Sequence, residues 1–286
     1  MENDVLKIAL VVNPKAGKGK SLRVLQQLTF LLEHRNIHFI SFIDEWPPHF
    51  KGFTDVWIIG GDGTLNYFIN HYPDIRLPLV IFKGGTGNDF AWKLYGNCNL
   101  KEQLEMVLSS APQPVDAAQC NELLFINGVG LGFDGTVLKA MKTIRLIGGH
   151  IGYYLLVLKT ILSFKESSFV IQSHGKKEEQ KFLLVMINNS SRTGGGFHVS
   201  PKATVNDGLL DLITATPLTI LQRFFYLPKI QKGNHMQLPF IHHVTGEEFI
   251  ISSDKELPAQ LDGELINAST FHLKVLKQKF LFRYPL

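Results

Sequence analysis

Cysteine is the first scarcity, with only Cys98 and Cys120 in 286 residues. Their spacing fits neither a zinc knuckle nor a Cys-x-x-Cys redox pair, so free thiols in a reducing compartment are expected. Charge is also sparse: 19% of residues are charged, the net charge is +4, and no basic stripe is concentrated anywhere. That excludes the usual footprint of a nucleic-acid binder. The weak positive bias suits phosphate ligands or an anionic membrane surface. No long apolar run is free of charge. The greasiest stretch, Ile144 to Phe164, carries Arg145, His150, Lys159 and the Gly148-Gly149 pair, which argues against a transmembrane helix. The acidic start Met-Glu-Asn-Asp leads directly into a strand and is not a signal peptide. Repeats and low-complexity tracts are absent. A cytoplasmic protein is expected, touching a membrane only from outside.

The chain is 45% hydrophobic, ordinary for a globular protein, and long enough for one large domain or two ordinary ones. Its centre is Val56-Trp57-Ile58-Ile59-Gly60-Gly61-Asp62-Gly63-Thr64-Leu65-Asn66. A short apolar run ending in glycines and followed by helix-compatible residues predicts a buried strand, a tight loop and a helix. Bare N–H groups in such a loop, backed by a helix N-terminus, suit phosphate. The stretch is neither the dinucleotide fingerprint nor the Walker loop. Asp62 would repel a phosphate unless a divalent metal intervenes or the carboxylate takes part in the chemistry. The plainer reading is a tight turn with Asp62 as an exposed N-cap.

Around this centre the first part alternates strand and helix. Strands are predicted at Lys7–Val12, Ile37–Ile43 and Pro78–Phe82, and helices from Ser21, as cap, to Glu33 and at Leu100–Ser109. Asn13 to Lys20 and Lys83 to Phe90 form further strand–glycine-loop–helix junctions. Lys15, Lys18 and Lys20 read equally as a solvated charge run. Asp44 to Thr54, with Pro47-Pro48, is too short for a crossover helix. A parallel sheet with helices on both faces follows, and its loops should bring Lys18, Asp62 and Asp89 near one another. After Ala111-Pro112-Gln113-Pro114 the pattern changes. Val115–Ala118, Leu123–Val129, Ser168–Ser173, Lys181–Asn188, Leu209–Thr214, His242–Ser252 and Phe271–Val275 read as strands. Helical stretches are confined to Phe133–Phe164 and Leu218–Lys232. The fold class is therefore α/β plus all-β: residues 1–118 form a nucleotide-binding domain with a parallel sheet, and 119–275 a β-rich, sandwich-like domain.

Five motifs come in order: Gly60 to Asn66, Gly85-Thr86-Gly87-Asn88-Asp89-Phe90, Asn127 to Asp134, Asn206-Asp207-Gly208-Leu209-Leu210-Asp211 and Leu261-Asp262-Gly263-Glu264. Together they resemble the diacylglycerol kinase catalytic family, which includes sphingosine and ceramide kinases and short bacterial lipid kinases. The likeness runs from Asn13-Pro14 to Pro285. It implies an α/β nucleotide domain, a β-sandwich-like domain, an active site in the cleft between them, and a C-terminal 276–286 segment returning to the first domain. It implies ATP as co-substrate and Mg2+ as cofactor. Gly60, Gly61, Asp62, Gly63, Thr64, Leu65 and Asn66 would hold ATP phosphates, with Asp62 near the transferred group or its metal, and Thr86 would touch the nucleotide. Asp89 would lie by the lipid head group. Lys18 is similar to the family's basic residue in the first loop, and Asp116 to the acid of its charge network. Asp207, with the carbonyls of Thr204 and Leu209, resembles a magnesium site, and Glu264 the general base.

Phosphoryl transfer to an alcohol needs donors and cations around the phosphate and a carboxylate within reach of the hydroxyl, and these residues supply both. Read alone, Asp207 is equally a turn former, Glu264 a solvated turn residue, Asp89 an N-cap and Asp134 structural. Ile144–Phe164 and Leu218–Leu227, with Tyr153, Tyr154, Phe164, Phe224, Phe225 and Tyr226, are ordinary core, an acyl-chain lining, or a surface resting on the membrane. Lys139, Lys142 and Arg145 could meet anionic lipid or solvent. The family pattern is departed from at the short 44–54 segment and at Lys83-Gly84, where base recognition and acceptor approach are decided. The partners expected are ATP, a lipid substrate and a membrane surface touched peripherally, with a homodimer left open. Two other readings stay open, an NAD kinase-like enzyme and a non-catalytic nucleotide- or lipid-binding regulator. The kinase reading expects Asp62→Ala and Glu264→Gln to lose turnover with little change in stability.

Overall fold

The structure, a computed structural model, is described for residues 6–144 and 159–285. Arg145, Tyr153 and Tyr154 lie outside the described residues, as do the acidic first residues and most of the Ile144–Phe164 stretch. No helix among the described residues is long and apolar enough to cross a membrane. The chain forms two compact units, one of Met1–Asp116 with Lys277–Leu286, the other of Ala117–Leu276.

The first unit is α/β. Its strands β1 (Lys7–Val12), β2 (His38–Ile43), β3 (Asp55–Gly60) and β4 (Leu79–Lys83) are parallel, in the order β4-β3-β1-β2. The end of the chain adds a further parallel strand beside β4 through Phe282 and Leu79. β3 is buried along its whole length, as expected of a strand covered on both faces, whereas edge strand β2 is mostly exposed or half-buried. Helices α1 (Lys20–Glu33), α2 (Asp62–His71), α3 (Asp89–Tyr95) and α4 (Leu100–Ser109) complete the unit. β1 lies between β2 and β3, so the strand order reverses beside it. In open α/β sheets ligands bind outside the C-terminal strand ends at such a point.

Three details correct or sharpen the sequence reading. Ser21 is not the cap of α1. Gly19 takes that place, and the Ser21 hydroxyl, buried inside the helix, donates to the Asn13 carbonyl at 2.6 Å. The 44–54 segment holds no helix. Trp46 and Phe50 instead lay their rings on Tyr67, Phe68 and Tyr72 of α2 and its end, and Tyr72 donates its hydroxyl proton to the Pro47 carbonyl at 2.7 Å. At the chain end, Arg283 holds the buried Asp55 carboxylate with two N–H groups and also donates to the Ser110 carbonyl at 3.1 Å.

The second unit is β-sandwich-like. Strands β7 (Gly128–Leu131), β10 (Leu184–Asn188), β11 (Leu210–Ala215), β12 (Ile241–Gly246), β13 (Glu248–Leu261) and the part of β14 (Glu264–Arg283) before Lys277 run in the order β12-β11-β10-β7-β13-β14; the last residues of β14 are the strand beside β4. β8 (Ser167–Ser173) and β9 (Lys176–Phe182) form a hairpin on β13, and β6 (Leu123–Phe125) pairs with the end of β5 (Pro112–Cys120). These pairs are antiparallel. Among the described residues, two apolar clusters lie in the core of this unit. One centres on Val129, Phe249, Leu261 and Phe271, the other on Met186, Ile213 and Ile241. Helix α5 (Phe133–Ile144) packs on β7 and β13.

The predicted Lys181–Asn188 strand is two strands broken at Leu183, and β13 and β14 run well beyond the predicted pieces. Their middle, Ser252 to Leu257, is polar and bulged. Its strand character comes from pairing with a partner, which local apolar patterning does not report.

Candidate active site

In the first unit the loops after β1, β3 and β4 meet backbone to backbone. A Cβ on Gly61 would lie 2.6 Å from the Gly87 carbonyl, one on Gly17 would strike the Gly84 carbonyl, and one on Gly85 would strike Gly61. Glycine is therefore required here because the loops pack on each other, in addition to any closeness to an anion. Hydrogen bonds lock the same meeting point. Gly84 N–H donates to the Gly60 carbonyl at 2.7 Å, and the Asn13 side-chain amide donates to the Thr64 hydroxyl at 3.1 Å.

Asp62 is the hub of this arrangement. Its Oδ2 accepts the Asp89 N–H at 2.9 Å and its Oδ1 the Phe90 N–H at 3.0 Å. Asp62 is not the N-cap of α2, which is Gly61, and instead caps the first turn of the neighbouring α3. The helix dipole there favours its negative charge. Asp89 opens α3 behind Asn88 and is buried.

In the Gly60 to Asn66 stretch, Gly63 is exposed in the first turn of α2, and its N–H has no acceptor among the described residues. Thr64, Leu65 and Asn66 are buried, Leu65 completely, so they can offer a ligand little beyond backbone. Thr86 is exposed on the neighbouring loop. Lys18 lies between Gly17 and Gly19 in a run of three left-handed residues and has no ion-pair partner among the described residues. A lysine held in that conformation is strained, a feature that clusters at ligand sites. Asp116 is buried and accepts the Gln278 N–H at 2.7 Å, and its charge, after burial, helps raise the Tyr284 hydroxyl above its ordinary pKa.

In the second unit the Asp262-Gly263 turn joins β13 to β14, both residues with positive φ, and Glu264 follows it, exposed. This is the two-residue hairpin geometry that Asp-Gly favours. Sequence reasoning passed over Asp262. Its buried carboxylate accepts the N–H groups of Ile126, Asn127 and Gly128 at 2.7, 2.9 and 2.9 Å. Asn189 joins the same knot by donating its side-chain amide to the Ile126 carbonyl at 2.9 Å. Three loops are thus tied together beside Glu264. The available signal was the Asp of Leu-Asp-Gly-Glu, read only for its glutamate. Asp134 is half-buried, and its desolvation pushes its carboxyl up to about 6 against the opposing effect of a hydrogen bond with Gln260.

Asp207 is exposed, and its Oδ1 accepts the Leu209 N–H at 3.1 Å, a turn of the Asx type. Among the described residues no cluster of three His, Cys, Asp or Glu side chains could hold a metal. A magnesium ion on Asp207 and the Thr204 and Leu209 carbonyls would therefore have one carboxylate and neutral oxygens, completed by water. That donor set fits a hard cation.

Comparison with known proteins bears on both units. Residues 7–120 match the model of the diacylglycerol kinase catalytic domain, and residues 127–280 that of the YegS C-terminal NAD kinase beta sandwich-like domain. A diacylglycerol kinase of Mycobacterium tuberculosis is 25% identical over 301 residues, covering 97% of each chain. A probable YegS-like lipid kinase of Shewanella frigidimarina is 28% identical, covering 80% of this chain and 76% of its own. The crystal structure of a diacylglycerol kinase from Bacillus anthracis shares the fold with a TM-score of 0.75 at 23% identity, covering 99% of this chain and 98% of its own.

Proposed function

We propose, since this chain belongs to the diacylglycerol kinase catalytic family and so to the lipid kinases, that it moves the terminal phosphoryl group of ATP, with Mg2+, to a hydroxyl of diacylglycerol or a related lipid. The observation that carries this reading is the Asp62 clamp on α3, made where three glycine loops meet at the sheet's reversal point. Such a site offers backbone N–H groups and a cation to phosphate, and it is fixed in advance, so donors need not reorganise during transfer.

In this reading the Gly60 to Asn66 backbone and Lys18 take the ATP phosphates, and Thr86 touches the nucleotide. Asp62 aligns α3 and faces the transferred group or its metal, while Asp89 serves the lipid head group. Asp116 belongs to the charge network. Asp207 and the Thr204 and Leu209 carbonyls would hold Mg2+, which would supply positive charge. Glu264, held by the hairpin that Asp262 anchors, takes the proton of the acceptor hydroxyl. The enzyme works from the aqueous side, in the cytoplasm, at the membrane surface.

The test is incubation of labelled ATP and Mg2+ with diacylglycerol, a sphingoid base and NAD, the lipids in mixed micelles. Label in phosphatidic acid or a sphingoid phosphate, lost in Glu264→Gln without a change in thermal unfolding, is the expected result. Label on NAD would overturn the lipid reading. Binding without transfer to any acceptor would make the protein a regulator.

A further inference from the structure

The Ile220–Gln231 helix exposes large apolar side chains. Thr219 and Gln222 cap it in a reciprocal box, and none of its residues is fully buried. Toward the protein, Ile230 packs on the cluster of Met186 and Ile213, Tyr226 lies against Phe240, and Arg223 is turned the same way. Arg223 donates to the carbonyls of Leu218, Ile161 and Phe164 at 3.1, 2.8 and 3.0 Å and pairs with Glu166 at 2.6 Å. Among those turned to water are two large apolar ones. Leu221 is 83% exposed and Phe225 65%, and they lie one turn apart on the same face. Ile220 beside them, and Leu162 on the 159–163 turn that Arg223 grips, are also exposed.

A single exposed leucine needs no explanation, but a helix that buries arginine and presents leucine and phenylalanine does. Charge identifies the occupant. No Asp or Glu occurs between Asp211 and Glu247, while Arg223, Lys229 and Lys232 do. The Lys229 ammonium lies 5.2 Å from the centre of the Phe225 ring, so a cation stands beside the exposed aromatic face. A second copy packed on this face would meet the same basic stretch, and like charges would oppose it. An anionic bilayer reverses that sign. The apolar side chains enter the acyl boundary while the lysines extend to head-group phosphates.

We infer that the Ile220–Gln231 helix is a membrane-docking surface, seating Leu221 and Phe225 in the outer layer of an anionic bilayer with Lys229 and Lys232 on its head groups. The inference rests on the lipid kinase reading only for the kind of partner.

Sedimentation of the full chain with lipid vesicles tests it, comparing phosphatidylglycerol–phosphatidylcholine mixtures with phosphatidylcholine alone. The wild-type protein should pellet with the anionic vesicles, and less so as salt rises. Leu221→Gln/Phe225→Gln should weaken binding at least tenfold. Lys229→Glu/Lys232→Glu should remove its salt dependence. These are surface changes, so both variants should keep the wild-type thermal transition. Pelleting of the Leu221/Phe225 variant like wild type would overturn the assignment. So would a wild-type dimer that this variant splits while vesicle binding stays unchanged. The kinase reading is tested apart. Loss of vesicle binding in the variant, with no lipid phosphorylated by the wild type, leaves the docking surface standing and removes the enzyme.

Discussion

Asp62 Oδ2 accepts the backbone N–H of Asp89 at 2.9 Å, so the acid of one glycine loop is the cap of the helix that follows the next. With Phe90 on the other oxygen, the carboxylate joins the β3 and β4 loops into one body. Removing it leaves two helix-opening amides without their acceptor.

Asp62→Ala should therefore lower stability by about 1–3 kcal/mol, as expected for lost charge-assisted bonds at a helix start. Asp62→Asn should cost nearly as much, because its NH2 group would face an amide donor. Thermal unfolding measures both. This revises the expectation, drawn from the sequence, of a variant defective only in turnover. An unshifted transition in both variants would show that the clamp does not hold the loops.

Gly85→Ala should cost about 3 kcal/mol, because the added methyl meets the Gly61 backbone, which cannot rotate away as a side chain could. Gly175→Ala is the control. It has φ +71 but open space around it, and should cost only about 1 kcal/mol. Urea unfolding of the two variants separates crowding from backbone conformation.

Arg283→Met should destabilise by about 3–5 kcal/mol, since it leaves the Asp55 carboxylate buried without its partner. Adding Asp55→Asn to the same chain should recover part of that loss, as the uncompensated charge disappears. A double variant no more stable than Arg283→Met alone would assign the cost to the arginine's packing.

Stability should fall as pH rises from about 4 to about 6 through Asp134. Its carboxyl holds its proton up to about 6 in the folded chain, against 3.8 ordinarily, so in this window the folded state binds more protons than the unfolded one. The loss approaches about 3 kcal/mol and levels off above that window. Asp134→Asn should remove this component and be more stable than wild type at pH 7.5. Chemical unfolding across pH, with the variant subtracted, isolates it.

The first half of the fold was legible because β3 and β4 are buried on both faces and so appear as continuous apolar runs. The Asp44 to Thr54 gap was legible as well, though not its filling by Trp46 and Phe50, since ring packing against α2 leaves no local pattern. The polar middle of the β13–β14 hairpin was hidden for the same reason. At the candidate site, the Gly-Gly-Asp-Gly stretch was visible and its phosphate-binding potential could be argued from residue types. That Asp62 caps α3, and that Asp262 gathers three amides beside Glu264, could not be. Those bonds span 27 residues in the first case and about 135 in the second.

By itself the amino-acid sequence determined where strands yield to glycine loops, which half is parallel and which antiparallel, and which acids accompany those loops. These follow from periodicity and turn chemistry, which act over a few neighbouring residues. Only the tertiary structure decided what each acid holds. A carboxylate's partner is whichever amide the fold carries to within 3 Å, and chain order does not encode that distance.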